Sequence, residues 1–192
     1  MGKNVKTRVE FVKYWEYEGI SKKDKRTPII LSDDMQIPFC YQFKIYGEIK
    51  KELFFVTELG GVGKNVAYVD NDNFLYAGFG CNLIKYDLNT NILIKNINEY
   101  EWINNFFLLD DGFLLHQEMT VKYYDKDFNL KWVNTDCADI FANLHVKDNF
   151  EIDNNYIAII DWYGNKHYFN KNGKFDQKIT SYNSDKCKCW KQ

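Results

Sequence analysis

Arginine is nearly missing from this chain: Arg8 and Arg26 are its only two in 192 residues. Arginine supplies most of the bidentate contacts that proteins make to phosphates and base edges, so its scarcity argues against nucleic-acid readout. Histidine is scarce as well. His116, His145 and His167 stand apart, none with a Ser, Cys or carboxylate partner in a recognisable nucleophile–base order. No apolar run approaches the roughly 20 residues of a membrane helix. The start Met1-Gly2-Lys3-Asn4 lacks the apolar segment of a signal peptide, and Lys6 stands where N-myristoylation requires Ser or Thr. The expectation is a soluble, cytoplasmic, non-enzymatic protein. Cysteines number five (Cys40, Cys81, Cys137, Cys187, Cys189), an odd set without framework spacing, which fits reduced thiols. Cys187 and Cys189 flank Lys188, but zinc needs four ligands and no second pair exists, so neither metal nor cofactor is expected.

A stretch at Gly60-Gly61-Val62-Gly63-Lys64-Asn65 has the look of a phosphate-binding loop. The full pattern needs a glycine five positions before the Gly-Lys pair, where Glu58 stands, and a hydroxyl where Asn65 stands. A strand-like Val66-Ala67-Tyr68-Val69 follows in place of the helix N-terminus that holds phosphate. The stretch is therefore read as a connector.

What the chain has instead is repetition. An apolar strand, an Asp-bearing turn, a second strand, a polar turn, a third strand ending in aromatic-Asp or aromatic-Asn, and a fourth strand recur over Val66–Ile97, Phe106–Asn134 and Phe150–Ile179. Asp70, Asp110 and Asp153 open the first turn of each copy. Asp87, Asp125 and Asn170 follow Tyr86, Tyr124 and Phe169. Asn91, Asn129 and Gly173 then supply residue types that tolerate a left-handed backbone. The middle strands are Phe74–Ala77, Phe113–His116 and Tyr156–Ile159, so His116 takes the place of Ala77 and Ile159, a core-facing position. A period of about 40 residues is the mark of propeller blades or related stacked β units.

The run Asp87-Leu88-Asn89-Thr90-Asn91-Ile92-Leu93 resembles the turn of WD-repeat and quinoprotein-type propeller blades, with Asn91 where glycine is usual. Asp125 to Trp132 has the same form, Trp132 standing near the blade-closing tryptophan. The resemblance implies an all-β fold of antiparallel meander repeats, propeller-like, as a small or incomplete ring; a β-sandwich of the same meanders is the alternative. One domain is expected over residues 1–192. Residues 1–38 form an N-terminal extension, residues 39–58 a degenerate fourth unit, and residues 180–192 a tail. Val9 to Tyr17 fits helical and strand periodicity about equally and is left open between them.

Charge is partitioned. Residues 1–26 carry +4, residues 165–192 carry +5, and residues 27–164 carry −11, within a net −2. The acids gather in turns: Asp33-Asp34, Asp70 and Asp72, Asp110-Asp111, Asp136 and Asp139. Asp also simply favours hairpin turns, so each pair has a bland reading beside the functional one. Tyr100, Trp102, Phe106 and Phe107 cluster beside Glu99 and Glu101, and Trp162 and Tyr163 precede Gly164. Aromatics flanked by acids have the composition of an interface hot spot, although most such rings end as buried staples.

A small β protein with an acidic middle and a Lys/Asn/Ile bias resembles the immunity proteins of bacterial contact-dependent growth inhibition and related polymorphic toxin systems. Its acidic turns are the most specific content of that likeness. The resemblance implies a protein that occludes the basic cleft of a cognate toxin, a nuclease and first of all an RNase. The candidate partner-binding residues are Asp70, Asp72, Asp110, Asp111, Glu118, Asp136 and Asp139, with Tyr100, Trp102 and Trp162 as anchors. Two other classes stay open: an intracellular scaffold or binding module presenting partners on a ring face, and a carbohydrate-binding β protein.

Overall fold

The computed structural model describes residues 6–18, 27–32, 37–58, 67–117, 120–135, 150–152, 156–160, 165–170 and 172–181. These residues form sixteen strands in four four-stranded sheets, and no helix is found among them. The second sheet is an antiparallel meander of β5 (Ala67–Val69), β6 (Phe74–Phe79), β7 (Asn82–Asp87) and β8 (Ile92–Asn98). The third has the order β12-β11-β10-β9, from β9 (Ile103–Leu108), β10 (Gly112–Gln117), β11 (Val121–Asp125) and β12 (Leu130–Asn134). The fourth runs β13 (Phe150–Ile152), β14 (Tyr156–Ile160), β15 (Asn165–Asn170) and β16 (Phe175–Ser181). These are the three repeats read from the sequence. Four separate sheets, rather than two packed face to face, set aside the sandwich alternative.

The first sheet differs from the expectation. Its strands are β1 (Arg8–Glu16), β2 (Ile29–Ile30), β3 (Phe39–Tyr46) and β4 (Lys51–Thr57), in the order β1-β3-β4-β2. The stretch taken for an N-terminal extension thus supplies two of its four strands. Val9 to Glu16 is strand, not helix, because Arg8 to Glu16 pairs antiparallel with Tyr46 to Phe39 across a bulge between Phe11 and Lys13. Its alternation was obscured by that bulge, which slips the period-two pattern by one residue. β2 lies parallel to β4 over only two residue pairs.

The chain divides into two compact units, residues 1–108 and 109–192. In the first, period-two alternation puts Tyr41, Phe43 and Ile45 of β3 and Leu53 and Phe55 of β4 on one face. That face packs against Leu75, Ala77 and Phe79 of β6 and Ile84 and Tyr86 of β7. Phe79 is the hub: its ring centroid lies 4.6 Å from Tyr41, 5.4 Å from Phe43 and 5.8 Å from Phe55. Each such buried ring contributes about 1.5–3 kcal/mol through burial alone. On the other face of β6, Gly78 leaves room for Phe106, whose Cβ lies 3.2 Å from where a glycine-to-alanine Cβ would sit. Polar links cross the same seam. Lys51 Nζ donates to the Leu88 carbonyl and to Asn91 Oδ1. Thr57 donates to Asn82, Asn82 to Asn96 and Asn96 to the Leu31 carbonyl.

The aromatic-Asp turn recurs as the same device three times. Asp87 Oδ1 accepts from the amides of Asn89 and Thr90. Asp125 Oδ1 accepts from those of Asp127 and Asn129, and Asn170 Oδ1 from those of Asn172 and Lys174. The left-handed residues are Asn91 (φ 61°), Phe128 (φ 59°) and Gly173 (φ 73°), so in the second copy the strained position falls one residue before Asn129. Phe128 is held there by its buried ring, packed edge-on against Phe113 and Tyr124. In all three copies the last strand slips register beside its neighbour, at Lys85/Tyr86, Tyr123/Tyr124 and Lys166/Tyr168.

In the second unit Trp132 stacks on Tyr123 and covers Gly173 of the next sheet, whose carbonyl accepts from Asn134 Nδ2 at 2.7 Å. A Cβ on Gly173 would stand 2.4 Å from the indole, on a backbone that L-residues disfavour by about 1–2 kcal/mol. Gly173→Ala should therefore lower stability in urea by about 2 kcal/mol or more. An unchanged unfolding midpoint would show that the indole does not rest on this glycine.

Candidate partner-binding surface

The second sheet presents its turns at two ends. At one, the β5–β6 turn carries Asp70 and Asp72, and the β7–β8 turn carries Leu88 to Asn91. The two are tied by Leu88 N to the Asn73 carbonyl and Asn89 Nδ2 to the Asp72 carbonyl. At the other end, Gly80 and Cys81 turn β6 into β7, and Glu99 to Trp102 lead from β8 to β9. Glu99 N donates to the Cys81 carbonyl (2.7 Å) and Ile103 N to the Gly80 carbonyl (2.8 Å), which clamps this link on both sides. Strands of six residues separate the ends by roughly 20 Å. Asp70 and Asp72 are thus not brought together with Tyr100 and Trp102.

The acids divide by employment. Asp70 Oδ1 accepts from the amides of Asp72 and Phe74, and its Oδ2 from the Tyr76 hydroxyl at 3.0 Å, so this carboxylate builds its own turn. Asp111, in the second unit, accepts from the Tyr123 hydroxyl. Burial first, and Asp111 second, push that phenol well above its ordinary range. Asp125 is held well below the ordinary carboxylate range, first by Lys131 at 2.7 Å and then by the amide and side chain of Asn129. Among the described residues, Asp72 and Asp110 have no side-chain bond. Glu118, Asp136, Asp139 and Trp162 lie outside the described residues, as do Asp33-Asp34, the Gly60–Asn65 stretch and His145. His116 is fully buried, as its repeat position implies. Among the described residues no group of three or more His, Cys, Asp or Glu could hold a metal ion.

The aromatics divide as sharply. Phe106 is buried and Phe107 half-buried, but Trp102 is 43% exposed and Tyr100 90% exposed. Tyr100 also has φ 59°, a conformation rare for a bulky side chain and costing of order 1–3 kcal/mol. Its amide donates to Asn98 Oδ1, and the two clamping bonds hold the loop in this shape. The ring gains no burial in return. Asn98, two residues before Tyr100, was the readable signal for this turn, and sequence reasoning passed over it.

Three acidic residues lie in the chain segments that meet at this end, Glu99 among them with its side chain buried. Thr57 bonds Asn82 and so brings Glu58 beside Cys81, while Glu99 bonds Cys81 through the backbone and Glu101 follows in the loop. Burial, then Glu58, Glu99 and Glu101, raise the Cys81 thiol to about 11. No lysine or arginine occurs in residues 52–58, 78–84 or 99–108.

No family model matches the chain, and no curated protein matches it. Among solved structures it is similar to BamB from Moraxella catarrhalis, at 15% identity and a TM-score of 0.50, covering 87% of this chain and 54% of that one. Hsv2 from Kluyveromyces lactis matches at 12% identity and TM-score 0.46, over 82% of this chain and 51% of that one. The N-terminal domain of Nup159 matches at 11% and 0.48, over 93% and 52%. The chain spans about half the length of these solved chains. It is an all-β chain of propeller type, built of small four-stranded sheets.

Two expectations follow for the side chains. Asp70→Ala should cost about 1–3 kcal/mol by orphaning two amides and a hydroxyl. Asp72→Ala should stay within about 0.5 kcal/mol of wild type in the same urea titration. Alkylation of Cys81 by iodoacetamide should be slow in the native protein at pH 8, gain speed only as the pH nears 11, and be fast at pH 8 once the chain is unfolded. Equal rates for native and unfolded protein at pH 8 would contradict the burial described.

Proposed function

We propose that the chain is a binding module: it holds a partner protein on the loops at one end of its propeller-type sheets and turns over no substrate. The observation carrying this reading is Tyr100, a large ring almost wholly in solvent on a backbone that costs free energy to maintain. Strain of this kind is retained where the surroundings over-determine it for a use, and an exposed Tyr–Trp pair is the composition of an interface anchor. Most of the acids that bond their own turns stabilise the fold and do not bear on the partner.

A narrower form of the proposal is that the partner is a toxin domain, a nuclease with a basic cleft, which the chain neutralises by covering it. The acidic middle of the chain, −11 over residues 27–164, and the carboxylates of Asp72 and Asp110, which have no side-chain bond among the described residues, support that form. They would speed the encounter with a basic protein.

The test compares wild type with Tyr100→Ala/Trp102→Ala. Proteins retained by wild type are identified, purified and titrated against both forms. The double variant should keep the wild-type melting temperature and bind about 10- to 100-fold more weakly, as expected for two anchors. Unchanged affinity would remove this loop from the contact. For the narrower form, co-expression with a panel of nuclease toxin domains should restore growth with one of them, and the double variant should lose that protection.

A further inference from the structure

We propose that Asn172–Gly173 is a site of spontaneous modification, a deamidation gated by the contact between the third and fourth sheets. This goes beyond the binding reading and does not depend on it. The chemistry needs only water. The Gly173 amide nitrogen, its proton lost to hydroxide, attacks Cγ of Asn172. The new N–C bond closes a cyclic imide, and the side-chain nitrogen leaves as ammonia. Water then opens the imide at one carbonyl or the other, giving aspartate or isoaspartate. Glycine in the following position favours closure, because no Cβ screens its nitrogen. Asn172 is the only asparagine in the sequence that precedes a glycine, and it is exposed.

The fold holds that glycine in place. Gly173 has φ 73°, and a Cβ there would stand 2.4 Å from the Trp132 indole, so any other residue is strained. Packing of the third sheet on the fourth thus keeps a reactive dipeptide in the turn.

The same packing restrains the reaction. Gly173 is buried, and its amide donates to the Asn170 carbonyl at 2.9 Å, so the nucleophile is already engaged. Asn170 Oδ1 accepts from the amides of Asn172 and Lys174, both at 3.0 Å, and Asn170 N donates to the Lys174 carbonyl at 3.0 Å. From the third sheet, Asn134 Nδ2 donates to the Gly173 carbonyl at 2.7 Å. Bringing the Gly173 nitrogen onto Asn172 Cγ turns it away from the Asn170 carbonyl and so requires the turn to open. The rate therefore follows the population of a locally opened state.

The product holds the turn open. Isoaspartate routes the main chain through the former side-chain methylene, one atom longer, between the amide bonded to Asn170 and the glycine under Trp132. The indole and the Asn134 bond then lose their match to the fourth sheet.

The test follows the full chain at pH 8 in its native form, in urea below the unfolding midpoint, and fully unfolded, by peptide mapping with mass spectrometry and isoaspartate-specific methylation. Asn172 should convert ahead of every other asparagine, slowly in the native protein, faster with each increment of urea, and fastest when unfolded. Asn134→Ala, which removes the bond to the Gly173 carbonyl, should speed native conversion about fivefold or more. Asn172→Gln should abolish conversion at this position and keep the wild-type melting temperature. Converted protein, separated by ion exchange on its added charge, should melt below the unconverted chain. Equal rates in native and unfolded protein, another asparagine converting first in the native chain, or converted protein melting like wild type would each overturn the inference. If Asn134→Ala does not fold, the urea series on the wild-type chain decides alone.

Discussion

A single side-chain oxygen accepting two amides of its own turn is the interaction from which this architecture is assembled. Asp87, Asp125 and Asn170 each fold the chain from the third strand of a sheet into the fourth, and Asp70 does the corresponding work between the first and second strands of the second sheet. The constraint is chemical before it is geometric. A carboxylate or amide bonds its own backbone at short range and so fixes a tight reversal without help from the core. Because the device is local, it repeats in step with the strands, while the apolar residues between turns are free to vary.

That constraint also bears on function. An acidic middle of the chain reads, as composition, like a surface made for a basic partner. The structure separates the carboxylates that fold the chain from those that face outward, and the first group is the larger in the second sheet. What remains distinctive is a pair of aromatic rings left in water at the opposite end of the strands, on a backbone that is clamped and strained.

The fold was legible where the signal was local and repeated. The three aromatic-Asp or aromatic-Asn turns, the period-two strands between them and the core position of His116 could all be read from residue types. The first sheet was not, for two physical reasons. A bulge between Phe11 and Lys13 breaks the alternation that identifies a strand, and the partner of β1 lies beyond β2 in the chain, so no hairpin signal marks the pairing. Phe128 was missed because a buried ring, not a backbone preference, holds its left-handed conformation. The candidate surface was legible in part. Tyr100 and Trp102 stood out as aromatics among acids, but grouping them with Asp70 and Asp72 ignored that the β6–β7 hairpin sends consecutive turns to opposite ends. The placing of Thr57 beside Asn82 depends on a hydrogen bond between two sheets, which no local pattern encodes.

The register slip that recurs in β8, β12 and β16 has a consequence for life at high concentration. A sheet's outermost strand is where fibrils begin, since a flat row of unpaired backbone groups will accept an identical strand from another molecule. Extra residues in these strands, one in β8, one in β12 and two in β16, twist the row and put its donors and acceptors out of step with any straight template. A chain so rich in β-structure, with isoleucines exposed along β8, can thereby remain dispersed rather than polymerise edge to edge.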